Sequence, residues 1–254
     1  MLQVGFGTAS FPFGEDVDRP HIREAVLRAI DAGYRHFDTA NLRMEYLDLY
    51  LVHFPVSMKP TEGEIGAGTE HMKENLVAMD MKGVWEEMEE CHRQGLAKAI
   101  GVSNFACKKL EYLLSFAHIS LAVNQVEVHP YCRQNKLRAF CSEKGIQLCA
   151  YSPLGGKERH GPTIMWVYEQ GDCVIPKSFN QKRMRENLDI FDWELTADAR
   201  HKIGTLPEFR GTYDFFVHDS GPYKTVEEFW DNEITDAQPN QSVTALGLDP
   251  NPSN

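Results

Sequence analysis

Positive charge is scarce in this chain: 26 Lys and Arg stand against 37 Asp and Glu, a formal net charge of −11. Such an acidic balance argues against nucleic acid or an anionic membrane surface as a main partner. Long apolar runs are missing too. None approaches the roughly 18–20 residues of a membrane-spanning helix, and the opening stretch lacks the basic and apolar regions of a secretory leader. The six cysteines, Cys91, Cys107, Cys132, Cys141, Cys149 and Cys173, contain no CxxC pair. In a chain of this length that scatter predicts reduced, mostly buried thiols and a cytoplasmic protein. There is no HxH or HExxH spacing, so a metal-dependent hydrolase built from His36, Asp38, His53 and His129 has little support and no metal site is expected. No GxGxxG follows the first apolar run, which weakens an open dinucleotide-binding sheet.

What is present is an ordinary globular composition, 42% apolar and 25% charged over 254 residues. That is enough for one domain with a sizeable core and close to the size of one (β/α)₈ barrel. Short apolar, β-rich runs at 4–8, 35–39, 48–54, 99–103, 121–128, 147–152 and 172–178 read as seven strands. Helical spacing fills the intervals at 22–32, 80–95, 108–116, 134–143, 163–169 and 182–187, with one more helix at 196–203. Apolar strands separated by helices imply a parallel sheet covered by helices. The segment 61–78, with three glycines and four glutamates, reads as a surface loop. Residues 207–230 read as an ordered, aromatic loop segment. The polar, proline-bearing stretch 236–254 reads as a disordered tail, leaving residues 1–235 as the single domain.

One join in this pattern is odd. Only the seven residues 40–46, with Leu47 after them, separate two strands that should both be parallel. A parallel crossover normally needs at least ten to twelve residues, its helix included. Seven extended residues reach about 23 Å, enough to return to the start of the next strand but not to build a helix. A strand position is expected to be empty there.

Seven segments in order resemble the aldo-keto reductase family, especially its plant branch: GFGTASFPF (5–13), GYRHFDTA (33–40), YLDLYLVHFPVS (46–57), GLAKAIGVSNF (95–105), VNQVEVHP (123–130), AYSPLG (150–155) and IPKSFN with RENLDIFDWELT (175–180 and 185–196). The resemblance runs to about Trp230. It implies a (β/α)₈ barrel with NADPH at the C-terminal strand ends, where barrels keep their active sites. It also implies hydride transfer to a small carbonyl substrate. A carbonyl that receives hydride develops alkoxide charge, so a proton donor and hydrogen-bond donors must face its oxygen. The family uses a Tyr tuned by Lys, His and Asp.

By that resemblance Asp38 and His53 are the catalytic Asp and His. Without the surrounding motifs, Asp38 reads as a turn or helix-cap residue and His53 as a structural strand-end histidine. Ser103, Asn104 and Gln125 would hold the nicotinamide carboxamide, and Tyr151 would stack on its ring. Gly7, Thr8 and the backbone at Ser152 and Leu154 complete the cofactor groove, with the pyrophosphate near Ser152–Leu154. Lys177, Ser178 and Arg183 would meet the 2′-phosphate that distinguishes NADPH, and Glu186 and Asn187 the adenine. Phe54 and Ala9 mark the substrate pocket wall, and a monomer is expected.

The family continues after the GYRHFDTAN stretch through a Tyr-bearing loop, a helix, a third strand ending in Lys and another helix. Here LRMEYLDLYLVHF follows almost at once. The expected fold is therefore an incomplete barrel of about seven strands, without the third strand and its flanking helices. Tyr46 sits at the wrong end of its strand to replace the donor, and Lys59 falls in a loop. Two outcomes are open: a reductase of impaired activity, or a non-catalytic NADP-binding remnant of the kind a splice variant or faulty gene model gives.

Overall fold

The computed structural model describes residues 4–7, 19–38, 45–59, 73–155, 162–208 and 216–233, with the backbone alone for 19–22. Thr8, Ala9, residues 61–72 and the 236–254 tail lie outside the described residues.

Among the described residues seven parallel strands carry the fold: β1 (Phe6–Gly7), β2 (Phe37–Asp38), β3 (Tyr50–Val52), β6 (Ile100–Ser103), β7 (Val123–Glu127), β8 (Gln147–Tyr151) and β9 (Cys173–Val174). β3, β6, β7, β8 and β9 form one continuous ladder in that order. A parallel bridge from Val4 to Val174 and a hydrogen bond from Gly7 N–H to the Pro176 carbonyl (3.2 Å) attach β1 to the far side of β9. β2 follows β1, with Phe6 opposite Phe37. Among the described residues, no ladder joins β2 to β3.

Alternation along each strand builds two cores. Val123, Cys149, Cys173 and Ile175 face the interior with Leu49, Leu51 and Tyr151. Their neighbours Val126, Leu148, Ala150 and Val174 face outward into the layer between sheet and helices. This two-sided burial is why these strands read as near-continuous apolar runs. Gly101 lies where the inner packing is tightest. A Cβ there would stand 2.5 Å from the Val123 carbonyl oxygen and 2.8 Å from a Leu51 methyl.

The helices follow their sequence signals. α1 (Arg19–Ala32) buries Ala25 and Ala29. α2 (Met81–Arg93) is capped by Asp80, whose Oδ1 accepts from Gly83 N–H at 3.1 Å, and buries Trp85 and Met88. α3 (Cys107–Leu114), α4 (Asn135–Lys144) and α5 (Pro162–Glu169) cover the outer face. The short α5 matches the abbreviated helix expected there and buries Ile164 through Val167. α6 (Gln181–Leu188) and α7 (Ala197–Gly204) begin at side-chain caps from Asn180 and Thr196. All six cysteines are free thiols, five of them buried.

The structure corrects the loop reading of 61–78. Val56–Met58 (β4) pairs antiparallel with Leu76–Ala78 (β5), Met58 opposite Leu76. Lys59 extends this hairpin, its N–H donating to the Asn75 carbonyl at 2.9 Å, so it belongs to the ladder and not to a free loop. Leu76 anchors a third cluster with Phe216, Phe229 and Trp230, against which Phe54 and Val56 pack. The aromatic segment after residue 207 is ordered where it is described, with a short helix α8 (Val226–Phe229) capped by Thr225.

A clasp fixes that segment to α3. The N-cap residue of α3, Ala106, has no side chain to cap with. Glu233 Oε1 accepts the Cys107 N–H instead, at 3.0 Å. Lys109, 8% exposed, donates to the Phe229 carbonyl (2.8 Å) and to Asp231 Oδ1 (2.9 Å). Desolvation pulls the Lys109 pKa below the ordinary Lys range, with Asp231 and then Glu233 opposing it.

Candidate active site

The C-terminal ends of the parallel strands bring most of the expected site residues together. Asp38 ends β2, His53 follows β3, Ser103 ends β6 and Tyr151 ends β8; Gln125 lies in β7 and Lys177 just beyond β9. Asn104 organises the centre. Its backbone is left-handed, φ +64°, a conformation Asn tolerates, and its N–H donates to the Gln125 carbonyl at 3.0 Å. Its side-chain Nδ2 donates to the His53 carbonyl (3.0 Å) and to Ser103 Oγ (3.1 Å). Its Oδ1 accepts from the Tyr151 hydroxyl at 2.7 Å. Ser103 Oγ in turn donates to the Gln125 carbonyl at 2.7 Å.

Asp38 meets this network from the opposite side, where Gln125 Nε2 donates to its Oδ1 at 3.3 Å. The His53 ring lies against Phe54, centroids 4.4 Å apart. Desolvation lowers the His53 pKa below the ordinary imidazole value, and the nearby Asp38 carboxylate pulls it the other way. At neutral pH the ring is therefore uncharged, able to orient an oxygen by hydrogen bonding but poorly supplied with an acidic proton. Phe54 continues into Phe216, centroids 4.1 Å apart, and the Tyr223 hydroxyl donates to the Pro55 carbonyl at 3.1 Å. The segment 216–233 thus walls the His53 side. Phe216 carries no motif; only its place in an aromatic-rich stretch hinted at this.

Tyr46 and Tyr50 are each 44% exposed. Tyr46 lies at the N-terminal end of its strand beneath the Lys98 ammonium, 4.3 Å from the ring centroid. Lys59 is exposed on the hairpin.

The basic segment lies after β9. Lys177 has its pKa lowered by desolvation and stands 5.6 Å from the Phe179 ring centroid. Ser178 Oγ accepts the Asn180 N–H at 3.2 Å. Asn180 Oδ1 caps α6 by accepting from Lys182 N–H (3.0 Å) and Arg183 N–H (3.1 Å). Arg183 and Glu186 are exposed on α6, and Glu186 pairs with Lys182 at 3.7 Å. Asn187 is not grouped with them at the surface. It is 1% exposed and engages Tyr34, and its Oδ1 has no hydrogen-bond partner.

Residues 40–159 match the model of the aldo/keto reductase family. A deoxymugineic acid synthase from Oryza sativa is 44% identical over 312 aligned positions, covering 91% of this chain and 97% of the relative. The chain belongs to the aldo/keto reductase family. An aldo-keto reductase from Melia azedarach is 41% identical, covering 92% of this chain and 94% of its own length. Among solved structures, an aldose reductase from Schistosoma japonicum superposes with a TM-score of 0.74 at 25% identity, over 88% of this chain and 95% of that one. A Bombyx mori aldo-keto reductase in complex with NADP matches with a TM-score of 0.65 at 26% identity, over 79% and 87% of the two chains. This aldo-keto reductase therefore has the α/β fold of its family, whose members use NAD(P)H to reduce small carbonyl compounds. Among the described residues, no helix is long and apolar enough to cross a membrane.

Proposed function

We propose that this chain is a monomeric, NADPH-preferring member of the family. Its cofactor half-site is built, and its proton-donating half is reduced to Asp38 and His53. The observation that carries the cofactor preference is the donor set after β9: Lys177 and Ser178 lead into α6 and Arg183 lies exposed in its first turn, in a protein of net charge −11. Such groups fit a phosphate, since an ammonium, a hydroxyl and a guanidinium fork all favour an anion. Asn187, which the resemblance assigns to the adenine, is buried against Tyr34 in this pose and would have to turn outward to take that part. A bound nicotinamide cofactor would supply the hydride. The chain's own residues would hold it through Ser103, Asn104 and Gln125 at the carboxamide and Tyr151 at the ring. Gly7, Thr8, Ser152 and Leu154 would shape the groove, and Glu186 would lie by the adenine. His53 would orient the oxygen of a small aldehyde or ketone.

The domain would run through residues 1–235, in the cytoplasm. The barrel would lack its third strand and the helices beside it. Two observations support that. No described ladder joins β2 to β3, and the aligned stretch of 312 positions exceeds the 254 residues of the chain, so the relative carries residues without a counterpart here. These same facts favour the second reading, an NADP-binding remnant without turnover.

Two measurements test the proposal. In fluorescence titrations Arg183→Ala should weaken NADPH by about tenfold or more, as one charge-assisted hydrogen bond adds about 1.5–3 kcal/mol, and leave NADH nearly untouched. Equal losses for both would sink the 2′-phosphate assignment. NADPH oxidation with a reactive aromatic aldehyde should run far below about 1 per second, because a lost general acid alone costs about 10²–10⁴ in rate. Turnover at ordinary reductase rates would mean that another residue delivers the proton. Undetectable turnover with NADPH bound would select the remnant.

A further inference from the structure

We propose that His129 is a positioning residue of the cofactor half-site, the floor that sets the height of the Tyr151–Gly155 turn; this rests on the cofactor reading above, in which Ser152 and Leu154 face the pyrophosphate. His129 is 1% exposed, and both of its ring nitrogens are engaged. Nδ1 accepts the Tyr131 N–H at 3.2 Å, which leaves the ring proton on Nε2, 3.1 Å from Glu127 Oε1. These two bonds fix tautomer and ring plane together. Glu127 is the last residue of β7 and stands opposite Tyr151 in the parallel register. The imidazole is thus tied to the strand beside the one whose end it supports.

The turn rests directly on that ring. A Cβ at Gly155 would lie 3.0 Å from His129 Cγ and 3.1 Å from Nδ1. The Gly155 backbone is left-handed, φ +63°, and so is Ser152, φ +48°. The turn closes through a bond from Gly155 N–H to the Ser152 carbonyl at 2.9 Å. A non-glycine residue held at positive φ needs its surroundings to hold it there. A rigid, doubly hydrogen-bonded ring under the turn is such a constraint. With the ring gone, the turn can settle toward the vacated space, and the backbone at Ser152 and Leu154 moves with it. A backbone N–H drawn away from the pyrophosphate would lose a charge-assisted hydrogen bond, worth about tenfold or more in affinity.

The test uses the full chain, with His129→Ala and the milder His129→Gln in case the first does not fold. Three ligands are titrated: NADPH, NADH and adenosine 2′-monophosphate, which carries adenine and the 2′-phosphate but no pyrophosphate. The expected result is a loss of about tenfold, equal for NADPH and NADH, with adenosine 2′-monophosphate unchanged. The pattern differs from that of Arg183→Ala, which removes NADPH preference. A loss for all three ligands, or for none, overturns the role of His129 while the cofactor reading stands. Wild-type chain that binds neither NADPH nor adenosine 2′-monophosphate overturns that reading, and this inference with it.

Discussion

The strands of residues 100–174 and those of residues 6–52 run parallel to their neighbours but differ in how they are held. β6 is buried along its whole length, and β7 and β8 are paired over five residues in register. β2 is two partly buried residues, and β3 begins with an exposed Tyr50. A strand flanked on both sides has both faces and both edges satisfied, whereas a strand at an open side keeps unpaired backbone groups and thin cover. The site inherits this difference. Ser103, Asn104, Gln125 and Tyr151 lock one another across three neighbouring strands. Asp38 and His53 come from the thin side, reached by Gln125 at 3.3 Å and by Asn104 at 3.0 Å. On the proposed reading, the residues that would bind the cofactor are the well-held ones, and the two that would serve proton chemistry come from the less buried strands.

The clasp gives the largest expected effect. Asp231→Ala leaves Lys109 buried without its carboxylate and should cost about 3–5 kcal/mol in denaturant unfolding at neutral pH. The folded-state Lys109 pKa would fall further below its unfolded value. The unfolded state then binds more protons at alkaline pH, so the variant's deficit should shrink as pH rises. A deficit that grows with pH would show that the charge is not what the clasp neutralises.

Next in size is a matched pair of truncations. Leu110→Ala on α3, fully buried, should cost about 2–5 kcal/mol. Leu51→Ala on β3, only partly buried, should cost about half of that or less, because it sheds less buried area. Equal losses by the same unfolding measurement would mean that the two halves are equally well packed. The smallest effect belongs to Arg200→Ala. Its guanidinium bonds Glu169 through two nitrogens at 2.8 and 2.9 Å but the side chain is 43% exposed, so the expected loss is about 1 kcal/mol.

How much of this the sequence announces depends on how local the cause is. The runs around Val102, Val126 and Cys149 read as strands because both of their faces are buried. Asp80, Gly95 and Asn180 mark helix ends by their own chemistry. The β4–β5 hairpin is hidden, because Leu76–Ala78 meets Val56–Met58 only across a stretch of glycines and glutamates that dominates the local pattern. In the site, Asp38, His53, Asn104 and Tyr151 stand at or just past strand ends, Gln125 within β7 and Lys177 beyond β9, in the segments their motifs mark. The buried pose of Asn187 against Tyr34 is not legible, since it depends on how α6 rolls onto α1. Nor is His129 under Gly155, where a glycine looks like ordinary turn chemistry until the ring beneath it is seen.

The clasp also sets an order of events during synthesis. Cys107 and Lys109 find partners in Glu233, Asp231 and the Phe229 carbonyl, separations of 126, 122 and 120 residues. At ribosomal speeds of about 5–20 residues per second, these partners emerge on the order of ten seconds after α3 does. Through that interval α3 has an uncapped first turn and a lysine with no buried place to go. The nascent chain can assemble the neighbouring strands, but it cannot seal this helix against them. The interval is when the chain would depend most on a chaperone, and a pause placed before residue 229 would lengthen it.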